Sequence, residues 1–375
     1  MKIAFIAPLE EPIPPVAYGG IEWIVYELVH GLAARGHEID LYATGDSQAT
    51  NTYHIIPTAA VSLRNNHEIG TDIKTRETAK WFYLGKLAKQ LENTNYDIIH
   101  NHYSWRFLIQ SPVITSPILT TIHGPLNLPY QNFVFHAYKS LPYVSISDNQ
   151  RNDIPELNYT ATIYNGLDLT RFPFYAEVTA ADNYLLFFAR FSPEKGGLEA
   201  IQAAKHAQKP LKIGAKVDLV DQDYFAKAKP FIDEQLISFM GEVGQEEKDK
   251  AYQHARALLV PIMWEEPFGL MFTESMSCGT PVITFSRGSA PEVIRDGVTG
   301  FLVNQSDEYV RGDWIIKKTG VEGLVEAINR IYAMPEEEYK QMRRNCREHV
   351  EKKFTNHKMV DAYEKVYQQI IQDKK

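Results

Sequence analysis

The stretch that decides the fold runs Ala257-Leu-Leu-Val-Pro261 and then, past a short loop, Glu266-Pro-Phe-Gly-Leu-Met-Phe-Thr-Glu274-Ser-Met-Ser-Cys-Gly279-Thr-Pro-Val282. The first part is a short apolar run bounded by turn formers, which reads as a buried strand of a parallel sheet. Behind the loop the chain suits a short helix that Gly279 can end in the left-handed conformation other residues resist. Pro281–Phe285 then returns to strand. Strand, loop, helix and strand make the repeating unit of an open α/β sheet, and such sheets bind ligands beyond the carboxyl ends of their strands. Amides at the helix start aim partial positive charge at that edge, which favours phosphate or sugar oxygens. Glu266 precedes the helix and Glu274 lies within it. The two carboxylates need not share a face, so two separate roles fit better than one paired acid.

Upstream, the strand Tyr184–Ala189 runs into Arg190-Phe-Ser-Pro-Glu-Lys195-Gly-Gly, placing two cations and two glycines at its end. Arg presents a planar fork and Lys a point charge, both suited to phosphate oxygens. A charge-assisted hydrogen bond from either is worth about 1.5–3 kcal/mol. The Glu-x7-Glu spacing with Phe-Gly inside it, and the Arg-x4-Lys-Gly element, resemble the retaining GT-B glycosyltransferases, family 4 in particular. That resemblance implies that Glu274 holds the ribose hydroxyls of a nucleotide and Glu266 contacts the donor sugar. Arg190 and Lys195 would grip the diphosphate, and the loop Pro267, Phe268, Gly269 and Leu270 would line the donor site with its amides. Ala189 is a departure, since many members carry Gly before the Arg.

Composition fits an ordinary globular chain. At 375 residues it is long enough for two domains, and charged residues make up 23% against 44% hydrophobic. The net charge of −8 argues against a duplex nucleic-acid partner, which calls for the opposite sign. Cys278 and Cys346 are too few for a disulfide framework and too far apart for a metal knuckle, so a reducing cytoplasm is the simplest setting. The opening Met1–Ala7 runs straight into Pro8 and two glutamates, too short for a signal segment, and reads as the first strand. No apolar stretch reaches membrane-spanning length.

The first half alternates strand and helix. Ile3–Ala7 is a strand, Tyr18-Gly19-Gly20 opens a helix with apolar residues at helical spacing from Ile21 to Leu32, and Glu38–Tyr42 is the next strand. Further strands are expected at 97–100, 118–122, 143–147 and 160–164. The first turn lacks G-x-G-x-x-G and so is a weak dinucleotide signal. In similar enzymes a Gly-Gly loop approaches acceptor and donor phosphate, which puts Gly19 and Gly20 among the site residues. His123 stands just beyond an apolar strand, where the family's strand-end His touches the donor sugar. Members often have Asp after it, whereas Gly124 stands here. His100 and His102 share a strand face, but no Cys or carboxylate pattern beside them supports a metal site.

Tyr164-Asn165-Gly166-Leu167-Asp168 resembles the turn that closes the first domain of the family. The expected organisation is a Rossmann-like acceptor-side domain over 1–172, a Rossmann-like nucleotide-sugar donor domain over 173–356, and a last helix, 357–375, packing back on the first. The second domain's strands are expected at 184–189, 211–215, 237–241, 257–260, 281–285 and 300–303. The polar segment 304–319, with Trp314, is longer than the pattern requires and reads as an insertion bordering the cleft. Segment 76–91 mixes basic and aromatic residues. It suits either a helix lying on an anionic membrane or an amphipathic helix packing Phe82 and Leu87 inward; the acidic balance of the chain favours the second.

The function implied by the resemblance is transfer of a hexose-type unit from a UDP-, GDP- or ADP-sugar to a hydroxyl acceptor, with retention, by front-side displacement. No cofactor and no metal is required, since the cations and helix start stand in for one. The expected setting is cytoplasmic, with 76–91 the segment for any peripheral contact with the inner face of the membrane. A nucleotide-sugar epimerase of the same fold is the main rival, and a two-domain sugar-binding protein a weaker one.

Overall fold

The computed structural model describes residues 1–16, 19–177 and 183–373. Tyr18, and part of the expected linker after Phe172, lie outside the described residues, as do the last two residues of the chain. The chain divides into two compact units, Met1–Gly166 with Asn356–Lys375, and Leu167–Thr355. The division falls inside the Asn165-Gly166-Leu167 turn, short of the residue 172 expected from the sequence.

The first unit is built on seven strands: β1 (Lys2–Ile6), β2 (Glu38–Thr44), β3 (His54–Ala59), β4 (Ile98–Asn101), β5 (Ile118–Ile122), β6 (Tyr143–Ser145) and β7 (Tyr159–Thr162). They form one sheet in the order β3-β2-β1-β4-β5-β6-β7, every pairing parallel. Crossover helices bury its apolar strands, and Ile3, Phe5, Ile99 and Leu119 are fully enclosed. β3 was not foreseen. It carries Pro57, which argues against a strand, but it is an edge strand paired only with β2, where one missing donor is tolerated.

Helix Ile73–Leu91 starts at Asp72, whose side chain accepts from the Thr75 amide at 2.8 Å. Leu84, Leu87 and Leu91 form its buried stripe. The expectation that Phe82 also packs inward is incorrect. The residue is 59% exposed, and the Lys86 ammonium lies 4.7 Å from its ring centroid. Phe82 is five residues from Leu87, an offset that turns it away from the leucine stripe.

Helix Asn356–Asp373 belongs to this unit although it follows the second one in sequence. It packs against helix Gly20–Ala33, where a Cβ added at Gly31 would stand 2.5 Å from Val360 Cγ2. Only a glycine admits so close an approach.

The second unit holds β8 (Tyr184–Phe188), β9 (Leu211–Gly214), β10 (Ile237–Gly241), β11 (Ala255–Leu259), β12 (Val282–Phe285) and β13 (Gly300–Val303) in the order β10-β9-β8-β11-β12-β13, again all parallel. The helix expected after the Pro-Phe-Gly loop spans Leu270–Ser277, and Gly279 beyond it takes φ 90°. Both units are therefore doubly wound α/β folds.

Candidate active site

In the second sheet the chain winds from β8 outward through β9 to β10, then returns to β11 on the other side. β8 and β11 are neighbours where the winding reverses, the switch point at which open parallel sheets place ligands. The loop after β8 carries Arg190 and Lys195, and the loop after β11 carries Glu266–Leu270. The fold brings the two sequence motifs together at one sheet edge.

Lys195 and Glu266 meet directly. The Lys195 ammonium donates to the Glu266 carboxylate, and the Trp264 indole donates to the same Oε2 at 2.9 Å. The ammonium also lies 5.1 Å from the Trp264 ring centroid, within cation–π range. Both side chains are mostly enclosed, with 12% and 9% exposure. A desolvated pair of this kind holds each charge in place for a ligand entering beside it.

The Glu266 backbone is held just as closely. Its carbonyl accepts from the Ser289 amide at 2.9 Å, and Ser289 Oγ donates to the Phe268 carbonyl at 2.8 Å. Gly288 has φ 57°, and a Cβ there would sit 2.2 Å from the Glu266 nitrogen. The loop after β12 thus lies flat against the Glu266–Phe268 backbone. Gly269 precedes the Leu270–Ser277 helix in the left-handed conformation, and Pro267 lies buried in the loop.

Glu274 is a separate station. Lys248 Nζ reaches its Oε1 at 2.7 Å and Tyr252 OH its Oε2 at 3.0 Å. An ionised carboxylate has about four lone-pair sites, so two remain for hydroxyl donors. Lys248 and Tyr252 sit on or beside helix Gln245–Gln253 and were not foreseen. They are remote in sequence from Glu274, and nothing local signals them.

Arg190 is placed differently from Lys195. It stands among Asp218, Asp221 and Glu194 at 3.7 to 3.9 Å, too long for hydrogen bonds. Its Nε is buried without a hydrogen-bond partner, as are Asp221 Oδ2 and Glu194 Oε2. Burial raises the Asp221 carboxyl against the opposing Arg190 charge. Arg190 is therefore loosely held with unused donors, in more acidic surroundings than the sequence suggested. Asp218 and Asp221 follow β9, the other neighbour of β8.

Segment 304–319 is anchored to the same loop. Glu265 receives Arg287 at 3.0 Å, Arg311 at 2.7 Å, the Gly288 amide at 2.9 Å and the Tyr309 hydroxyl. Burial would raise the Glu265 carboxyl, but Tyr309, Arg311, Gly288 and Arg287 outweigh it and hold it below the usual range. Asn304 Oδ1 gathers the Arg311 amide at 2.9 Å and the Trp314 indole at 3.2 Å. The segment so pins the residue next to Glu266.

In the first sheet the winding reverses between β1 and β4. Gly19 lies in the loop after β1, where a Cβ would meet Pro15 at 2.6 Å, so close packing demands a glycine there. Gly20 begins the helix Gly20–Ala33. Its buried face includes Glu22, an acid inside an apolar stripe, with a carboxyl raised to about 7 by burial and secondarily by Glu11 and Glu10. His123 follows β5. The partner missing from its sequence neighbourhood is His102, whose Nδ1 lies 2.8 Å from His123 Nε2. Gly124 instead offers its carbonyl to Gln150 at 2.8 Å. Among the described residues no group of three or more His, Cys, Asp or Glu is arranged to hold a metal ion. No helix among them is long and apolar enough to cross a membrane.

Two doubly wound units in one chain make the GT-B fold, and comparison with known proteins gives the class. Residues 18–171 match the family model Glycosyltransferase Family 4, and residues 176–349 match Glycosyl transferases group 1. The chain belongs to the glycosyltransferases built from these two domains and is a transferase enzyme. It is similar to O-antigen chain mannosyltransferase C of Escherichia coli, 24% identical over 96% of this chain and 97% of that protein. It is likewise similar to N-acetyl-alpha-D-glucosaminyl L-malate synthase of Bacillus anthracis, 26% identical over 95% and 96%. Among solved structures, sucrose-phosphate synthase from Thermosynechococcus elongatus superposes with a TM-score of 0.78 at 21% identity, covering 99% of each chain. Anabaena HepE in complex with UDP and glucose superposes with 0.71 at 18% identity, covering 98% of this chain and all of that one.

Proposed function

We propose that the enzyme transfers a hexose-type sugar from a nucleoside diphosphate sugar to a hydroxyl acceptor with retention of anomeric configuration. The observation that carries this reading is the Lys195–Glu266 pair at the β8/β11 switch point, with Glu274 beside Lys248 and Tyr252 as a second station in the same unit. The diphosphate carries negative charge that grows as the sugar bond breaks, and Lys195 and Arg190 are the cations to meet it, assisted by the Phe268–Leu270 amides. Ligand phosphate would meet the terminal Arg190 N–H groups, which stand 3.7 and 3.8 Å from Asp218 and Glu194, beyond hydrogen-bond length. Glu266 would accept from sugar hydroxyls, and Glu274 from the ribose with its remaining lone pairs. Within the first unit, Gly19, Gly20 and His123 are the groups this reading assigns to sugar or acceptor.

The displacement is proposed as front-side: the acceptor oxygen bonds to the anomeric carbon on the face from which the diphosphate leaves, and the hydroxyl proton passes to the departing phosphate. These cations would do the work of a metal in stabilising that group. Cys278 and Cys346 are buried free thiols, which supports a reducing, cytoplasmic setting. The exposed Phe82 beside Lys86 supports contact of helix Ile73–Leu91 with an anionic membrane surface; failure to sediment with anionic vesicles at low salt would remove that element of the proposal.

A thermal-shift screen across UDP, GDP and ADP sugars names the donor, since ligand binding to the native state raises the melting temperature. NMR of the product then reads the anomeric configuration; an inverted product ends the retaining proposal. Isomerisation of the donor without any acceptor would instead favour the epimerase reading. Glu274→Ala is expected to weaken nucleoside diphosphate binding by about tenfold or more, roughly one charge-assisted hydrogen bond. Calorimetric titration with unchanged affinity would remove its ribose role.

A further inference from the structure

His123, half-buried, ends a continuous line of hydrogen bonds that runs through the interior of the first unit. His123 Nε2 lies 2.8 Å from His102 Nδ1, and His102 Nε2 lies 3.1 Å from His100 Nδ1. His100 Nδ1 is also 2.7 Å from the Tyr367 hydroxyl, while its Nε2 is 2.7 Å from Thr121 Oγ1, which in turn is 2.8 Å from the Tyr363 hydroxyl. The sheet explains the line. His100 pairs in register with Phe5 and Leu119, so His100, His102, Thr121 and His123 fall on one face at period two. Phe5 closes that face with its ring 5.7 Å from His102, and Tyr363 and Tyr367 reach in from helix Asn356–Asp373.

Their surroundings favour the neutral form of all three imidazoles. Burial lowers each below the ordinary imidazole value, and neighbouring imidazoles lower His100 and His102 further. A neutral imidazole has one N–H and one bare nitrogen, so choosing the tautomer at one end of the line fixes it at the other. The Tyr367 end makes the choice. Tyr367 is fully buried, and among the described residues its hydroxyl bonds to His100 Nδ1 alone. Were that nitrogen protonated, the tyrosine proton would be a buried donor left without an acceptor. With His100 Nδ1 bare, its Nε2–H donates to Thr121. His102 then avoids facing one lone pair with another by carrying its proton on Nε2, and the single His100 Nδ1 lone pair takes the Tyr367 hydroxyl at 2.7 Å and, at the longer 3.1 Å, the His102 N–H in a three-centre bond. His102 Nδ1 is left bare, and His123 must donate to it from Nε2.

We infer that Tyr367, His100 and His102 are positioning residues that lock His123 as the Nε2–H tautomer and leave its Nδ1 as a bare acceptor. Nδ1 has no hydrogen-bond partner among the described residues. His123 can therefore accept a hydrogen bond from a sugar or acceptor hydroxyl and cannot donate one from that atom. The site is thereby matched to hydroxyl-bearing rather than carbonyl-bearing groups at this point. The catalytic relevance of the inference rests on the role proposed for His123, whereas the tautomer itself does not.

The test is long-range 1H–15N correlation spectroscopy of histidine-labelled protein, which distinguishes protonated from bare ring nitrogens. The expected wild-type spectrum shows His123 bare at Nδ1 and protonated at Nε2. Tyr367→Phe, which removes only the hydroxyl, should convert the His123 signal to a mixture of tautomers. His102→Leu should lower kcat by about tenfold or more with little change in KM, as a wrong or free tautomer does. His102→Asn, which can still offer an oxygen to the His123 N–H, should restore much of that rate. A wild-type His123 protonated at Nδ1, or a Tyr367→Phe spectrum unchanged at His123, would overturn the inference whatever the kinetics. Normal transfer by His123→Ala would instead remove the proposed role of His123 and leave the tautomer assignment standing.

Discussion

Lys195 is enclosed against Glu266 and Trp264, so its charge is neither screened by water nor free to wander. A cation fixed before the reaction needs no reorganisation when the leaving group gains charge, which is why such groups contribute to rate more than to binding. Lys195→Ala is expected to lower kcat by about 10²–10³-fold with a native circular dichroism spectrum, on the scale of losing one preorganised donor. Turnover near that of the wild type would remove the diphosphate role. Glu22 makes a second residue-level case. Its folded carboxyl titrates near 7 and the unfolded one near 4.5. The folded state keeps its proton while the unfolded chain loses it, so this group's contribution to stability is complete below about pH 4.5 and falls away as pH rises to 7. Glu22→Gln should abolish that decline, leaving the variant more stable than wild type at pH 8 by about 3 kcal/mol. Urea midpoints at pH 4.5 and 8 check it; equal declines in both proteins would be the contrary result. At this scale the motif residues Glu266, Glu274, Arg190, Lys195 and His123 were legible, because each lies in a local pattern beside a strand end. Their partners Lys248, Asp221 and His102 were not, because sheet order rather than sequence distance brings them together.

Among the elements, helix Ile73–Leu91 separates pattern from packing. Its leucines at 84, 87 and 91 enter the core that also holds Tyr96, Ile99 and Phe107. Leu87→Ala is expected to cost about 2–5 kcal/mol, as a buried cavity does. Phe82→Ser, on the solvent side, should stay within about 0.5 kcal/mol. Equal losses in denaturant titrations would return Phe82 to the core. The sequence misled here because aromatic residues crowd both faces of this helix. β3 escaped for the opposite reason, since Pro57 interrupts a run whose pairing to β2 shows only in three dimensions. The strands of the second unit were easier to read, because burial on both faces turns parallel strands into continuous apolar runs between glycines and prolines.

At the scale of the whole molecule, the first unit is discontinuous. Helix Asn356–Asp373 buries Met359, Val360, Tyr363, Val366, Tyr367 and Ile370 in it. At about 1.5–3 kcal/mol for each enclosed side chain, that gross contribution rivals the net stability of a domain. Removing residues 356–375 should therefore abolish or sharply lower the thermal transition of the first unit while leaving that of the second. Calorimetry showing both transitions unmoved would mean that the first unit stands without its last helix. The two-unit plan itself was legible from alternating strand and helix signals and the Asn165-Gly166 turn.

That discontinuity sets an order of assembly during synthesis. Residues 167–355 leave the ribosome as an uninterrupted stretch and can close their sheet at once, while the earlier-made strands wait for the final helix. The nascent first unit thus spends the time needed to translate the entire second one with a hydrophobic side uncovered and its line of imidazoles unterminated, a window in which chaperones would find it.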